Sequence, residues 1–266
     1  DAVAVFQVIA GPDPADSVTS AGRGRTTPNY SASLVKDGLR GARIGVLRQA
    51  WDRPTTDAEV RDVFARAVAE LRAAGATVVD SVTIPELDSL SRAQTGGCNP
   101  FKYDLERWIA STGGRTPVKS LEEVLRSNRY HPSIQKRLEL AQAVEQPPEQ
   151  NPGCKSREQF REGLRAATLR VMDRDRLDAF VYPTWSNPPR LIGDLNSPHG
   201  DNSQLFSPAT GWPALTVPMG YTRGQLPAGM TFFGRAWSEP VLIRLAYSYE
   251  QATHHRHPPQ SVPPLR

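Results

Sequence analysis

Two apolar segments near the carboxyl end carry the clearest pattern in the chain: TGWPALTVP at residues 210–218 and LPAGMTFFG at residues 226–234. Their β-branched and aromatic residues predict two strands, over 214–217 and 230–233. Ser238 then marks a helix start. Apolar residues recur at helical spacing behind it and predict an amphipathic helix. The apolar face of that helix consists of Leu242, Leu245, Ala246 and Tyr249.

A strand–helix–strand pattern lies further upstream. Residues 43–47 (RIGVL) predict a strand. Thr56 and Glu59 have the spacing of a capping box, which predicts a helix that Gly75 ends. Residues 77–79 (TVV) predict a second strand. Because a βαβ unit pairs its strands in parallel, we expect an α/β fold with a mixed β-sheet flanked by helices.

The composition excludes several classes of protein. The 266 residues, 38% of them hydrophobic, are enough to bury a core. No run of eighteen apolar residues occurs, so we expect no membrane partner. The net charge of +4 comes from 32 basic and 28 acidic residues that interleave, as in EVRD at 59–62. This mixture is typical of a solvated surface and argues against a nucleic-acid partner.

Cysteine and histidine residues give little reason to expect a metal site. Cys98 and Cys154 lie far apart and could form one bridge, which the sequence leaves open. His254, His255 and His257 cluster near the carboxyl end, but no carboxylate or cysteine nearby completes a coordination shell. We therefore expect neither a metal nor a cofactor.

The carboxyl-end segments resemble the amidase signature family, in which the same strands and a Glu-led closing helix follow one another at this spacing. The resemblance extends upstream. FKYDL at 101–105 is similar to the family's Phe-Lys-x-Asp-Leu helix, although Glu106 and Trp108 stand where Asn and Tyr are usual. It covers nearly the whole chain, because three more segments match: VIAGPDP at 8–14, GARIGV at 41–46 and LDAFVYPT at 177–184.

The resemblance implies an amide hydrolase whose catalytic residues lie outside this chain. Family members use a Ser nucleophile, a second Ser in a cis peptide, a Lys general base and a Gly-rich loop that stabilises the oxyanion. These elements precede the family segment that residues 8–14 resemble, and no GGSSGG run occurs in the 266 residues. We therefore assign no catalytic residue.

The same comparison predicts the extent of the domain and its partners. Residues 1–10 (DAVAVFQVIA) are typical of a helix already begun, so we expect sequence upstream. We interpret residues 1–266 as the carboxy-terminal part of a single amidase domain, inactive without its amino-terminal half. The expected partners are that half of the enzyme and a small-molecule amide substrate.

Residues 183–213 are the candidate functional segment. AFVY at 179–182 predicts a buried strand that ends at Pro183, and a long proline-rich loop is expected over 183–213. In the family this loop approaches the acyl side of the substrate. Alternatively, its large side chains only pack the loop onto the sheet, and Trp212 fits the core better. The candidate substrate-binding residues are Trp185, Asn202, Leu205 and Phe206.

Two other interpretations stay open or are weakened by the sequence. Ser33 with Lys36 and Ser133 with Lys136 have the Ser-x-x-Lys spacing of penicillin-recognising hydrolases, but the companion Ser-Asp-Asn and Lys-Thr-Gly elements are missing. A non-catalytic domain that binds a partner through residues 183–213 is the alternative to half of an amidase. The compartment stays open, with the cytoplasm slightly favoured.

Overall fold

The chain divides into two compact units. The computed structural model describes residues 1–194, 197–198, 200 and 202–258. The first unit, here called the sheet unit, comprises Asp1–Ile84 and Ala167–Arg266. The second, here called the helical unit, comprises Pro85–Ala166. None of the helices in the described ranges is both long enough and apolar enough to cross a membrane.

The sheet unit contains a five-stranded mixed sheet. Its strands are β1 (Arg43–Leu47), β2 (Thr77–Val82), β3 (Ala179–Pro183), β4 (Ala214–Thr222) and β5 (Leu226–Phe233). Their order across the sheet is β2-β1-β3-β5-β4. β1 pairs in parallel with β2 and β3, whereas β5 pairs antiparallel with β3 and β4. The predicted mixed sheet is confirmed.

Helices flank this sheet. They are α1 (Ala2–Ile9), α2 (Ala58–Ala73), α8 (Ser203–Thr210) and α9 (Glu239–Thr253). α2 connects β1 to β2, as the βαβ pattern predicts, and Gly75 follows its end with a φ of +94°. α9 buries the predicted face of Leu242, Leu245, Ala246 and Tyr249.

The amino end of α2 differs from the predicted capping box by one residue. Asp57, not Thr56, caps the helix, because its Oδ1 accepts the N–H groups of Glu59 at 3.0 Å and Val60 at 3.3 Å. The Thr56 hydroxyl instead donates to the carbonyl of Trp51. The capping-box prediction is therefore wrong in its residue, although the helix begins where it was expected.

Asp57→Ala is expected to lower the free energy of unfolding by about 1–2 kcal/mol at neutral pH, because α2 loses its cap. The Arg223 guanidinium, which donates to the Asp57 carboxylate, holds the pKa of that carboxyl below its ordinary value, and the capping N–H groups add to this effect. Folding thus lowers this pKa, so the unfolded chain takes up the proton first on acidification. The stabilisation is present above about pH 4 and is lost as the pH falls below that value.

Urea unfolding at pH 7 and pH 3 measures this effect. Asp62, which is exposed on the same helix, provides the matched control, and we expect Asp62→Ala to change the free energy of unfolding by less than about 0.5 kcal/mol. An equally large effect of Asp57→Ala at both pH values would contradict the assigned coupling.

The helical unit contains four helices and the beginning of a fifth. They are α3 (Leu87–Ala93), α4 (Phe101–Ser111), α5 (Leu121–Ser127), α6 (Gln135–Gln142) and the first part of α7 (Pro152–Arg174). Leu121, Leu138 and Ala141 form a buried apolar cluster in this unit. The partly buried residues packed against it are Leu105, Val124, Leu125 and Tyr130.

A disulfide joins two segments of the helical unit. Cys98, just before α4, is bonded to Cys154 in the first turn of α7, with their Cα atoms 4.6 Å apart. The backbones approach closely beside the bridge, because a Cβ on Gly153 would overlap the carbonyl oxygen of Gly97. The bridge that the sequence left open is therefore formed, and a glycine is required next to it.

Candidate functional site

The candidate segment 183–213 is not a loop throughout. In its described part, residues Ser203–Thr210 form α8, so the prediction of one long loop is wrong there. Gly211 ends the helix in the left-handed conformation, with a φ of +71°. Pro208 lies inside α8. A proline in this position favoured a loop in the sequence, because it lacks the N–H that a helix interior uses.

Asn202 fastens the beginning of α8 to the end of β3. Its side chain is fully buried, with Nδ2 donating to the Pro183 carbonyl at 2.9 Å and Oδ1 accepting from the Ser186 hydroxyl at 2.9 Å. The main chain adds bonds from the Asn202 N–H to the Thr184 carbonyl at 3.1 Å and from the Ser186 N–H to the Gly200 carbonyl at 3.0 Å. Both polar ends of the Asn202 side chain are used within the protein, as the packing alternative expects.

Phe206 packs into the aromatic core of the sheet unit. It is 1% exposed, and its ring centroid lies 6.0 Å from that of Tyr182 and 6.1 Å from that of Phe233. Trp212 stacks on the same Phe233 with a centroid distance of 6.2 Å. Leu205, the neighbour of Phe206 in α8, is half-buried. α8 is thus held to β3 and β5 by aromatic contacts.

Trp185 lies in a different environment. It is 49% exposed and lines a pocket of about 170 Å³. The pocket lies between the first turn of α2, residues 187–189 and the turn that joins β4 to β5. The structure therefore separates the predicted residues: Trp185 stands at a pocket, whereas Asn202 and Phe206 are interior.

A cluster of three threonine hydroxyls lies beside the end of β3. Thr184 Oγ1 is 2.8 Å from Thr231 Oγ1 and 3.3 Å from Thr216 Oγ1, and the last two are 3.3 Å apart. Gly229 leaves room for this cluster, because a Cβ there would lie 2.8 Å from Thr216 Cγ2. The sequence analysis missed the cluster. The signal for it is that Thr216 and Thr231 face each other in the β4–β5 register, which no single strand reveals.

The histidines of the tail are engaged in protein contacts. His255 Nε2 lies 3.0 and 2.9 Å from the two carboxylate oxygens of Glu70, which also accepts the Tyr249 hydroxyl at 2.6 Å. Burial and this neighbouring carboxylate raise the pKa of Tyr249. The His257 ring stacks on Tyr221, with centroids 5.6 Å apart. In the part of the chain that the structure describes, no three metal-ligating side chains come together.

Comparison with known proteins shows the family. The amidase family model matches residues 1–243. A probable amidase of Arabidopsis thaliana is 28% identical over 98% of this chain and 48% of its own length. One of the subunits of the glutamyl-tRNA(Gln) amidotransferase of Myxococcus xanthus is 29% identical over 94% of this chain and 52% of its own length.

The fold agrees with this relationship. The native peptide amidase from Stenotrophomonas maltophilia superposes with a TM-score of 0.79 and 34% identity, over 98% of this chain and 53% of that one. The chain spans about half the length of the curated relatives it matches. With a family match over residues 1–243 and the mixed α/β sheet of its structural neighbours, the chain belongs to the amidase signature family.

Proposed function

We propose that this chain is the carboxy-terminal half of an amidase. The complete enzyme hydrolyses a carboxamide to a carboxylate and ammonia or an amine, through an acyl-serine intermediate. One observation carries the proposal: the family match covers residues 1–243, yet the chain spans only about half the length of its relatives. The serines, the lysine and the Gly-rich loop that the family uses are then expected in the other half.

A peptide carboxamide is the substrate class that we propose. Solved structures named as peptide amidases are 34% and 35% identical to this chain over 98% of its length. The amidotransferase relatives, whose name refers to glutamyl-tRNA(Gln), are less similar, at 26% to 29% identity. The higher similarity supports hydrolysis of an amide at a peptide over transfer of ammonia to a tRNA-linked group.

The surface next to β4 supports the amino-terminal half as a partner. β4 is an edge strand of the sheet, and an unprotected edge invites further pairing. Beside it lies an apolar groove of about 370 Å³ between α1, the start of β4 and α9. α1 also exposes Val5, Val8 and Ile9 by 60%, 84% and 72%. We propose that the amino-terminal half covers this edge and this groove.

Within the complete enzyme, this chain supplies scaffold and one wall of the acyl pocket. The bonds of Asn202 to Pro183 and Ser186 fix the segment that follows β3. Trp185, exposed and next to that segment, is the candidate contact with the acyl group. Leu205 and Phe206 support the wall from α8.

Ammonia release tests this proposal. The 266-residue chain alone, of verified intact mass, is expected to release no ammonia from N-acetylphenylalaninamide, because it lacks a nucleophile and its base. A polypeptide that carries both halves is expected to release it. Hydrolysis by the chain alone would overturn the assignment of the catalytic residues to the other half.

The alternative is a non-catalytic domain that binds a partner through residues 183–213. Size-exclusion chromatography separates the two proposals. A domain built to stand alone should elute as a monomer or as one defined oligomer, whereas half of an enzyme should aggregate until its amino-terminal half is added. Failure of the two-half polypeptide to hydrolyse any peptide amide, together with a monodisperse isolated chain, would favour the binding domain.

A further inference from the structure

The pocket beside Trp185 contains a buried donor with no acceptor. Asn187 lines this pocket, and its Nδ2 is buried without a hydrogen-bond partner in the protein. A buried amide donor that stays unpaired is destabilising, so such groups normally find an acceptor. The other polar side chain of the pocket, Thr222, already directs its hydroxyl to the Leu226 carbonyl at 3.4 Å. The pocket thus offers one unused N–H donor.

The walls around this donor are apolar and stiff. They include the indole of Trp185 and the rings of Pro188, Pro189 and Pro227. Rings of this kind lose little conformational entropy when a ligand packs against them. A flat ligand can therefore bind here without ordering the wall first.

Contacts within the sheet unit hold the sides of the pocket together. The Asp57 N–H donates to the Ser186 carbonyl at 3.0 Å, which ties the start of α2 to the segment that carries Trp185. Arg223, in the β4–β5 turn, donates to the Asp57 carboxylate at 2.6 Å and through its N–H to Glu59 at 2.6 Å. All three sides are thus joined, so the pocket is preformed.

We propose that this pocket binds a single aromatic ring of about the size of benzene that carries a carbonyl oxygen on the adjoining carbon. The volume of about 170 Å³ suits one ring, since a cavity of about 150 Å³ holds benzene. The ring packs against Trp185 and the prolines, and the carbonyl oxygen accepts the N–H of Asn187 Nδ2. This inference concerns binding by the chain's own residues and does not depend on the proposed amidase activity.

Acetophenone and ethylbenzene are the matched probes, because they share the ring and differ in the carbonyl. Each is titrated into the purified protein while the indole N–H signal of Trp185 is followed by NMR and assigned with Trp185→Phe. We expect saturable binding of acetophenone, with a Kd on the order of millimolar for a ligand of this size. Ethylbenzene is expected to bind more weakly, since it leaves the Asn187 donor unpaired.

Two variants and one control decide the assignment. Asn187→Leu is expected to weaken acetophenone binding roughly five-fold and to leave ethylbenzene binding unchanged or tighter. Trp185→Ala, at a half-exposed position that the fold tolerates, is expected to weaken both ligands roughly ten-fold. Trp108→Ala, which removes an equally exposed tryptophan from the helical unit, should change neither.

Several outcomes overturn the proposal. If acetophenone shifts the Trp185 signal without saturation, the pocket does not bind an aryl ketone. If folded Asn187→Leu binds acetophenone as the parent protein does, Asn187 is not the donor. Equal loss of binding in Trp108→Ala and Trp185→Ala would place the ligand elsewhere.

Discussion

Replacing Cys98 and Cys154 together with alanine is expected to lower the free energy of unfolding of the helical unit by about 4 kcal/mol. The two cysteines are 56 residues apart, so the bridge removes much of the loop entropy of the unfolded chain, and a loop of this length corresponds to roughly 4 kcal/mol in the chain-entropy model. The apolar cluster of the unit centres on Leu121, Leu138 and Ala141 and cannot replace that constraint.

Native-state hydrogen exchange measures this change by region. Peptides from residues 85–166 should exchange faster in the double variant, whereas peptides from the sheet serve as the internal control. A reductant should accelerate exchange in the parent protein and have no effect on the variant. Unchanged protection of the helical unit in the variant would show that the bridge contributes little.

The bridge also bears on where the protein works. Structural disulfides persist mainly in oxidising compartments and are rare in the cytosol. The bond between Cys98 and Cys154 therefore weighs against the cytoplasm, which the sequence slightly favoured. Two distant cysteines alone could not reveal this, because pairing depends on a Cα separation that only the fold sets.

The sheet could be predicted where the pattern is local. The strand predicted at 43–47, the helix before Gly75 and the strand that begins at Thr77 follow from apolar periodicity, and their parallel pairing follows from the crossover helix between them. The buried strand at 179–182 was equally clear, because every residue of β3 faces the interior.

The candidate site was harder to predict because its contacts connect distant residues. Pro208 made residues 203–210 look like loop, yet α8 forms there because Phe206 packs against Tyr182 and Phe233. Asn202 looked like a ligand-binding amide until its two hydrogen bonds to the segment after β3 were known. The unpaired Asn187 donor has no sequence signal at all, since burial and pairing are set by the folded chain.

Phe206→Ala is expected to lower the free energy of unfolding of the sheet unit by about 4 kcal/mol, one of the largest effects of any single substitution in the chain. The ring is 1% exposed and contacts two aromatic rings of the core, so its loss combines the transfer term with a cavity. Urea unfolding followed by the circular dichroism of the aromatic residues measures this change. Leu205→Ala, at the half-buried neighbouring position of α8, should cost roughly half as much.

Phe206→Leu distinguishes packing from substrate contact. Leucine keeps much of the apolar volume, so it should restore roughly half of the free energy of unfolding that alanine removes. If Phe206 only packs α8 onto the sheet, the KM of the two-half enzyme for a peptide amide should stay unchanged in Phe206→Leu, because the residue does not reach the ligand. A several-fold rise in KM with an unchanged free energy of unfolding would instead place Phe206 in the acyl pocket. Since Trp185 stands at an open pocket, Trp185→Ala should show the opposite pattern, with weakened ligand binding and nearly unchanged stability.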